Sequence, residues 1–304
     1  MRRQEEHYVN LKGLPPMRCD KYISEVWTLM SRSQIRSLSV QAYLDSKEIR
    51  LSQHVHNGQH ICVSWEEIYT SFVPEKLDLD ILYEDNDVWV INKPSGMVVH
   101  PGAGHHQGTL ANGLAYLMGR PQVTEFPDVQ RAGIVHRLDK DTSGIIICAK
   151  HVRAHEFLSN QFRHRRAKKQ YLAFCCGTQG KPMMSRVRNM IVRSHRDRRK
   201  FICTDDESQG RLAISSYRII RQRQGYGLVL FMPYTGRTHQ LRVHAKYWGF
   251  PIIGDILYNP YTKTQDPCLM LHAWKLKIYL PQNGQEYEFC APVPQRFYDY
   301  WQSH

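Results

Sequence analysis

Short apolar runs rich in β-branched residues recur along the chain from about residue 77, and polar loops containing glycine or proline separate them. Runs of this length and composition predict β-strands. They read DVWVINK (87–93), GIIICAK (144–150), YLAFCC (171–176), LAISSY (212–217) and GLVLFM (227–232). Pro94 ends the first strand, because proline cannot donate a hydrogen bond to a neighbouring strand. This part of the chain is therefore predicted to be built mainly from β-sheet.

Two segments of the same region show helical spacing instead. The leucines of GTLANGLAYLMG (108–119) fall on one stripe of a helix. In THQLRVHAKYWG (238–249), Thr238 is placed to cap a helix and Gly249 to end it. Many strands, few helices and no regular alternation between them predict an α+β domain with a mainly antiparallel, mixed sheet.

A small separate unit is predicted ahead of this region. Asp20 is placed to cap a helix with regularly spaced apolar positions, and Ser33 is placed to open a second helix. The stretch HICVSW alternates apolar and polar residues, which predicts a strand. The segment EEIYTSFVPEKL is typical of a linker. We therefore place a small α/β domain at residues 1–74 and a larger domain at residues 75–304.

The charge of the chain indicates a class of binding partner. Its 304 residues include 41 Lys and Arg against 28 Asp and Glu, a formal net charge of +13. Thirteen of the cations but only one acid, Asp197, lie between residues 163 and 200. A short basic run is ordinarily a solvated face. Aromatic residues interleave with this one, which indicates ordered structure and favours a nucleic-acid partner.

Composition also argues against several other classes of protein. No apolar run is long enough to span a membrane. The eight cysteines are scattered, without a Cys-x-x-Cys pair, so we expect neither a zinc site nor a disulfide framework. We expect reduced, buried thiols in a cytoplasmic protein. His100, His105 and His106 lie in a glycine loop without nearby carboxylates, so no metal site is expected.

One polar loop combines several charges with an apolar strand. VHRLDKDTSG (135–144) leads directly into the GIIICAK run, and a carboxylate at the edge of a core is costly unless it is paired or used. A loop held by a buried strand fixes a reactive side chain well. Asp139 is therefore a candidate nucleophile or general base, with Arg137 or a distant arginine as its partner. A structural ion pair or loop cap explains the same residues equally well.

Four ordered motifs across residues 83–258 resemble those of one enzyme family. HRLDKDTSG is similar to the signature loop of the RluA-type pseudouridine synthases, and YEDNDVWVINKPSGMVVHPG is similar to their first motif. KKQYLAFCCG resembles their tyrosine motif, and PYTGRTHQLRVHAKYWGFPIIGDILY resembles their third motif. More loosely, RCDKYISEVWTLMSRSQIRSLSVQAYL resembles the ribosomal-protein S-four-like RNA-binding domain that many of these enzymes carry.

The resemblance implies a pseudouridine synthase fold and an isomerase that converts uridine in RNA to pseudouridine. No cofactor is implied, and no phosphate-loop or dinucleotide glycine pattern is present. Asp139 is implied as the catalytic group and Arg242 as its ion-pair partner, with Arg237 as the fallback. Tyr171 is implied to stack on the target base and to help move a proton. The residues implied to bind the substrate are His136, Arg137, Arg237 and His239.

Arg137 carries a further hypothesis, that its side chain fills the gap left when the target base leaves its stack. Other motif residues are interpreted as structural: Asn92, Lys93, Pro94, Asp141 and Asp255.

The favoured substrate is a large structured RNA such as large-subunit ribosomal RNA, because a separate RNA-binding domain accompanies the basic region. Transfer RNA is the alternative. A catalytically inactive RNA-binding protein or ribosome-assembly factor is a second hypothesis, although the catalytic positions are intact. A nucleoside or glycoside hydrolase is a third, disfavoured because a small sugar substrate does not require the basic block. We expect a monomer, since nothing in the sequence demands an oligomer.

Overall fold

The computed structural model describes residues 2–30, 35, 38–66, 73–102, 105–119, 132–262 and 268–303. The chain divides into two compact units, Met1–Ser71 and Phe72–His304. The boundary predicted from the sequence lies after residue 74. The predicted helix start at Ser33 and the middle of the predicted linker lie outside the described residues. That the first unit binds RNA stays a prediction.

The first unit is built on a small antiparallel sheet. Its strands are β1 (Arg2–Tyr8), β2 (Met17–Arg18), β3 (Gln41–Leu44), β4 (Lys47–Ile49), β5 (His54–Val55) and β6 (His60–Glu66). Four of them pair in the order β1-β6-β3-β4, and β2 pairs with β5. Strand β6 confirms the prediction made from HICVSW. Its alternating Ile61, Val63 and Trp65 are all buried in the core of this unit.

The first predicted helix is present, but it is built differently from the expectation. Helix α1 (Cys19–Lys21) continues directly as a π-helical turn over Tyr22–Val26. Asp20 lies inside the helix, so the prediction that it caps the helix was wrong. Its carboxylate instead accepts hydrogen bonds from the guanidinium of Arg18 at 3.0 Å. The fully buried Tyr22 fixes this helix in the core.

The described residues of the second unit form a large sheet and four helices. Its strands are β7 (Ile81–Glu84), β8 (Val88–Lys93), β9 (Ser143–Ala149), β10 (Lys168–Cys176), β11 (Met184–Arg193), β12 (Phe201–Thr204), β13 (Arg211–Arg223), β14 (Tyr226–Pro233), β15 (Leu271–Tyr279) and β16 (Glu286–Cys290). Its helices are α2 (Leu110–Leu117), α3 (Val152–Arg163), α4 (Gln240–Tyr247) and α5 (Gln295–Ser303).

The sheet of the second unit runs in the order β12-β11-β13-β14-β10-β15-β9-β8-β7, with β16 paired to β15 outside this path. Among the described strands, β9 and β15 form the parallel pair, and the other pairings are antiparallel. The predicted α+β architecture with a mainly antiparallel, mixed sheet is confirmed. The five strands predicted from apolar runs are all present.

Two apolar clusters pack against this sheet. One joins β8 and β9 to α2 and α3, and the other joins β10 and β14 to α4 and α5. All seven residues of β9 are buried, as expected for a strand covered on both faces. The loop that precedes β9 is therefore attached to one of the most deeply buried elements of the unit.

Helix α4 begins differently from the sequence expectation. Thr238 was predicted to cap it, but the residue at the cap position is His239, in the left-handed conformation with φ of 55° and without a capping side-chain bond. A glutamine after this turn supplies the hydrogen bonds instead, as described below. Gly249 ends the helix with φ of +81°, as predicted.

The cysteines are all free thiols. Cys19, Cys148 and Cys175 are buried, whereas Cys268 and Cys290 are exposed, so the expectation of burial was wrong for these two. Over the part of the chain that the structure describes, no helix is both long and apolar enough to cross a membrane.

Gly144 provides a test of how closely β9 and β15 must approach. It pairs with Ala273 in the parallel ladder and has φ of +108°. A Cβ atom there would overlap the carbonyl oxygen of Ala273, which is backbone and cannot move aside. We expect Gly144→Ala to lower the free energy of unfolding by more than about 1 kcal/mol, measured by thermal or urea denaturation. Gly102→Ala is the control, since nothing lies within 4 Å of its added Cβ. Equal stability of the two variants contradicts the tight pairing.

Candidate active site

A cavity of about 440 Å³ opens in the second unit. Its wall comes from the loop before β9 (135–139), from side chains within 162–169, from Tyr171 on β10, and from the segment joining β14 to α4 (233–242). All seven side chains that the sequence singled out as catalytic or substrate-binding line this cavity: His136, Arg137, Asp139, Tyr171, Arg237, His239 and Arg242. The fold thus brings together residues up to 106 positions apart in the chain, from 136 to 242.

Asp139 and Arg242 face each other in this cavity. The Nη1 atom of Arg242 lies 3.4 Å from Oδ2 of Asp139. The Arg242 side chain is 7% exposed and that of Asp139 is 19% exposed, so the carboxylate is the more open of the two groups. The Asp139 carboxylate is therefore placed beside a cation, partly open and at the wall of the cavity.

Arg242 is held in place by a second carboxylate. Its Nε and Nη2 atoms donate to Oδ2 and Oδ1 of Asp255, each at 2.8 Å, and the Asp255 side chain is 0% exposed. Such bidentate pairing fixes the plane of a guanidinium. Burial alone lowers the pKa of Arg242, but the hydrogen bonds and charge of Asp255 outweigh it and raise that pKa. Arg242 is therefore a permanently charged group with one N–H edge left for Asp139.

Asp255 is fixed in turn by the loop that carries it. Its Oδ1 atom accepts hydrogen bonds from the backbone N–H groups of Leu257 and Tyr258, at 3.0 and 3.1 Å. The ring of Tyr258 lies 5.1 Å from the guanidinium carbon of Arg242. The sequence interpreted Asp255 as structural, and its position agrees with a role in orienting Arg242. Motif spacing alone did not indicate that the two residues form a bidentate pair.

A buried lysine, Lys93, anchors the loop that bears Asp139. The Nζ atom of Lys93 donates to the carbonyl oxygens of Pro94, Met97 and Lys140, at 2.8 to 2.9 Å. Three acceptors match the three donors of an ammonium group. Burial lowers the pKa of Lys93 to about 7, against the opposing charges of nearby aspartates. The sequence placed Lys93 in a structural turn but missed this contact with residue 140.

Tyr171 lies on β10 and forms one wall of the cavity. Burial raises the pKa of its phenol, and the negative charge of Asp139 raises it further. The phenol therefore stays protonated at neutral pH. Its ring presents an apolar surface beside the carboxylate, and its hydroxyl remains a proton donor.

His136 is a half-buried, neutral imidazole. Its Nε2 atom accepts a hydrogen bond from the backbone N–H of Ile147 at 3.1 Å, and its ring stacks on Phe162 with centroids 4.5 Å apart. Burial lowers the pKa of His136 to about 3, with a contribution from the charge of Lys169. Its contacts fix the loop to β9 and α3. Arg137, the next residue, is exposed and lines the cavity.

Arg237 and His239 lie on the turn that leads into α4. The Nε atom of Arg237 donates to the carbonyl of Leu212 at 2.9 Å. Burial lowers the pKa of Arg237, and the positive charges of Arg211 and Arg165 lower it further. The Nδ1 atom of His239 lies 2.8 Å from the hydroxyl of Tyr258. Cations thus gather on this side of the cavity.

The turn itself is held by a buried polar network that the sequence did not reveal. The Oγ1 atom of Thr235 donates to Oε1 of Gln240 at 2.7 Å, and the backbone N–H of Arg237 donates to the same oxygen at 2.9 Å. The Nε2 atom of Gln240 donates to the carbonyl of Ile214 and to Oγ of Ser215. These bonds take the place of the predicted threonine cap. They explain why the turn carries a threonine and a glutamine at these positions.

No group of three or more His, Cys, Asp or Glu side chains within the described ranges is arranged to hold a metal ion.

Comparison with known proteins identifies the family. A family model described as RNA pseudouridylate synthase matches residues 87–247, which include Asp139, Tyr171 and Arg242. The chain is 36% identical over 289 residues to a Borreliella burgdorferi protein named ribosomal large subunit pseudouridine synthase D, covering 92% of this chain and 87% of that protein. The chain belongs to the RNA pseudouridine synthase family.

Two further proteins are similar to this chain and support its assignment to the family. A Pseudomonas aeruginosa protein, also named ribosomal large subunit pseudouridine synthase D, is 33% identical over 298 residues, covering 92% of this chain and 89% of that protein. A solved structure, human RNA pseudouridylate synthase domain containing 1, matches with a TM-score of 0.59 and 25% identity, covering 72% of this chain and 85% of that one. The predicted family, fold and enzyme class, an isomerase acting on RNA, are confirmed.

The Asp255–Arg242 pair provides a direct test of this geometry in the synthase. Removing one partner of a buried ion pair leaves the other charge uncompensated, so we expect Asp255→Asn to lower the free energy of unfolding by about 3 kcal/mol. We also expect kcat to fall with little change in KM, because Arg242 no longer holds its orientation toward Asp139. Thermal denaturation and steady-state release of tritium from 5-tritiated uridine in RNA measure the two effects.

Glu288→Gln is the control, since it removes one negative charge from the surface pair with Lys275, and neither residue lines the cavity. Exposed ion pairs contribute little, and we expect neither stability nor turnover to change measurably. An Asp255→Asn variant with the kcat of the wild type excludes the orienting role.

Proposed function

We propose that the synthase isomerises uridines of large-subunit ribosomal RNA and that Asp139 is its catalytic carboxylate. The observation that carries the assignment of Asp139 is its contact with Arg242, 3.4 Å away, at the wall of the cavity. A charged carboxylate held beside a fixed cation and still open to a cavity of this size is the arrangement that covalent or electrostatic catalysis by an aspartate requires.

The reaction is an internal transfer of the base on the ribose. The bond from C1′ to N1 of uracil breaks, a bond from C1′ to C5 forms, and the hydrogen on C5 leaves as a proton while N1 gains one. Nothing is oxidised or reduced and no external group is added, so the isomerisation requires no cofactor. The Asp139 carboxylate either bonds to C1′ or stabilises the positive charge that develops there. Both roles require a negative charge on Asp139, beside which the Arg242 guanidinium lies.

Tyr171 holds the uracil ring in this proposal. Its half-buried ring lines the same cavity as Asp139, and stacking on a base is worth about 1–3 kcal/mol. Its phenol is protonated, so the hydroxyl can donate a proton or a hydrogen bond during the transfer. His136 and His239 complete the wall against which the base is held.

The target uridine must leave its stack to enter the cavity. The cavity volume of about 440 Å³ lies in the range that encloses a single small ligand. We propose that the Arg137 side chain fills the space that the uridine leaves in the RNA. Arg137 is exposed at the cavity and lies two residues before Asp139 in the same loop. Arg237 and its neighbouring cations, Arg165 and Arg211, bind the phosphates of the extruded nucleotide.

Two observations support ribosomal RNA as the substrate. They are the names of two relatives and the positive charge of one segment. Two relatives that cover most of the chain are named for the large ribosomal subunit. The basic segment from Arg193 to Phe201 connects β11 to β12 as a hairpin. We assign its five cations to contacts with RNA phosphates: Arg193, Arg196, Arg198, Arg199 and Lys200. We assign the first unit, residues 1–71, to RNA binding as well. The synthase is proposed to act as a cytoplasmic monomer.

The substrate proposal is tested with transcripts that carry tritium on C5 of uridine. Isomerisation releases this tritium to water, so we expect the synthase to release one or a few equivalents per large-subunit ribosomal RNA and none above background from transfer RNA. Heat-inactivated protein is the control. Release from transfer RNA alone overturns the ribosomal assignment. Tight binding without release from either RNA supports an assembly factor instead of an active isomerase.

The role of Arg137 is tested by comparing two forms of one target sequence. Extruding a base from a folded RNA costs a few kcal/mol that a free single strand does not require. We therefore expect Arg137→Ala to lower kcat/KM on the folded RNA at least about tenfold more than on the single strand. Lys140→Ala removes the same charge from the same loop, but its side chain does not line the cavity. Equal losses on both RNAs for Arg137→Ala contradict the gap-filling role.

A further inference from the structure

An aromatic side chain that the proposed chemistry does not use lies in the wall of the cavity. Tyr234 follows directly after β14 and lines the cavity that contains Asp139, yet 50% of its surface is exposed. An exposed aromatic residue is ordinary on a protein surface when it stands alone. Tyr234 differs because it stands beside a reaction site for a nucleic acid, whose bases bind to aromatic faces.

The backbone at Tyr234 is rigid. Its N–H donates to the carbonyl of Ile214 at 3.0 Å, which continues the pairing of β14 with β13 beyond the end of the strand. The next residue, Thr235, is buried in the hydrogen-bond network with Gln240. The ring is therefore presented from a fixed position, so that little conformational freedom is lost when a ligand binds to it.

A cation orients the ring. The guanidinium carbon of Arg186, on β11, lies 4.6 Å from the centroid of Tyr234. Arg186 is exposed, and no ion pair joins it to an acid among the residues that the structure describes. A guanidinium over a tyrosine face is a favourable pair, and an unpaired arginine beside it attracts phosphate. Tyr234 and Arg186 together combine the two groups that single-stranded nucleic acid binds, an aromatic face and a cation.

We infer that Tyr234, oriented by Arg186, is a stacking platform for the base of the nucleotide next to the target uridine. The platform rests on the proposed entry of one nucleotide into the cavity at Asp139, because an extruded uridine brings its neighbours to the cavity mouth. Stacking is tolerant of sequence, since every base has an aromatic face. The platform therefore requires a base at this position in the RNA but does not select which base.

The platform acts on binding rather than on chemistry. The neighbouring base stacks equally in the bound substrate and in the transition state, and such uniform binding lowers KM without raising kcat. We expect Tyr234→Ala to weaken the affinity for substrate RNA about tenfold and to raise KM by a similar factor at nearly unchanged kcat. Tyr234→Phe keeps the ring, and we expect it to bind like the wild type.

The decisive experiment removes the partner base as well as the ring. The two nucleotides flanking the target uridine are replaced, one at a time, by an abasic ribonucleotide in the RNA fragment that best releases tritium. Affinity is measured by fluorescence anisotropy and turnover by tritium release. One of the two replacements is expected to weaken binding to the wild type about tenfold and to have no further effect on Tyr234→Ala. Exchanging that base for another is expected to change affinity little.

Tyr298→Ala is the matched control, because Tyr298 is 52% exposed and lies on α5, outside the wall of the cavity. Wild-type affinity in Tyr234→Ala overturns the platform, and so does an abasic effect that persists undiminished in that variant. Absence of tritium release by the wild type from every RNA overturns the proposed function instead. In that case the affinity comparison, made on a large-subunit ribosomal RNA fragment, still decides whether the ring binds a base.

Discussion

The site depends on one guanidinium that serves two carboxylates. Arg242 donates two short hydrogen bonds to the fully buried Asp255 and directs its remaining N–H edge at Asp139. The buried pair with Asp255 fixes the orientation of the guanidinium. The longer contact at 3.4 Å leaves Asp139 open on the side facing the cavity. A cation that is fixed before substrate binds needs no reorganisation during the reaction, which is the condition for electrostatic catalysis.

The fold supports this arrangement by attaching both partners to rigid elements. The loop of Asp139 is continuous with β9, which is buried over its whole length, and is anchored by the ammonium group of Lys93 at the end of β8. Arg242 lies in the first turn of α4, whose start is fixed by Gln240. The cavity therefore has a preformed wall of cations and aromatic rings, which suits a polyanionic substrate that must insert one base.

Much of the fold and many of the site residues could be predicted from the sequence, because strand patterns and motif residues are local. The apolar runs predicted the strands, and the resemblance of the motifs to one family implied which side chains meet in one cavity. The family resemblance implied the pairing of Arg242 with Asp139, which are 103 positions apart. The hydrogen bonds that hold the surrounding loops could not be predicted, since Lys93 and residue 140 are 47 positions apart and Gln240 and Ser215 are 25 apart. Thr238 was mistaken for a cap because the cap rule considers only neighbouring residues, whereas Gln240 binds the adjacent strand β13.

Single-turnover release of tritium by Asp139→Asn, beside the wild type and on an RNA that the wild type modifies, tests the central claim most directly. Asparagine keeps the size of the side chain and its contact with Arg242 but removes the charge and the nucleophilic oxygen. We predict no release above background, with RNA affinity and melting temperature close to those of the wild type. Release at a rate near that of the wild type contradicts the assignment of Asp139 as the catalytic group.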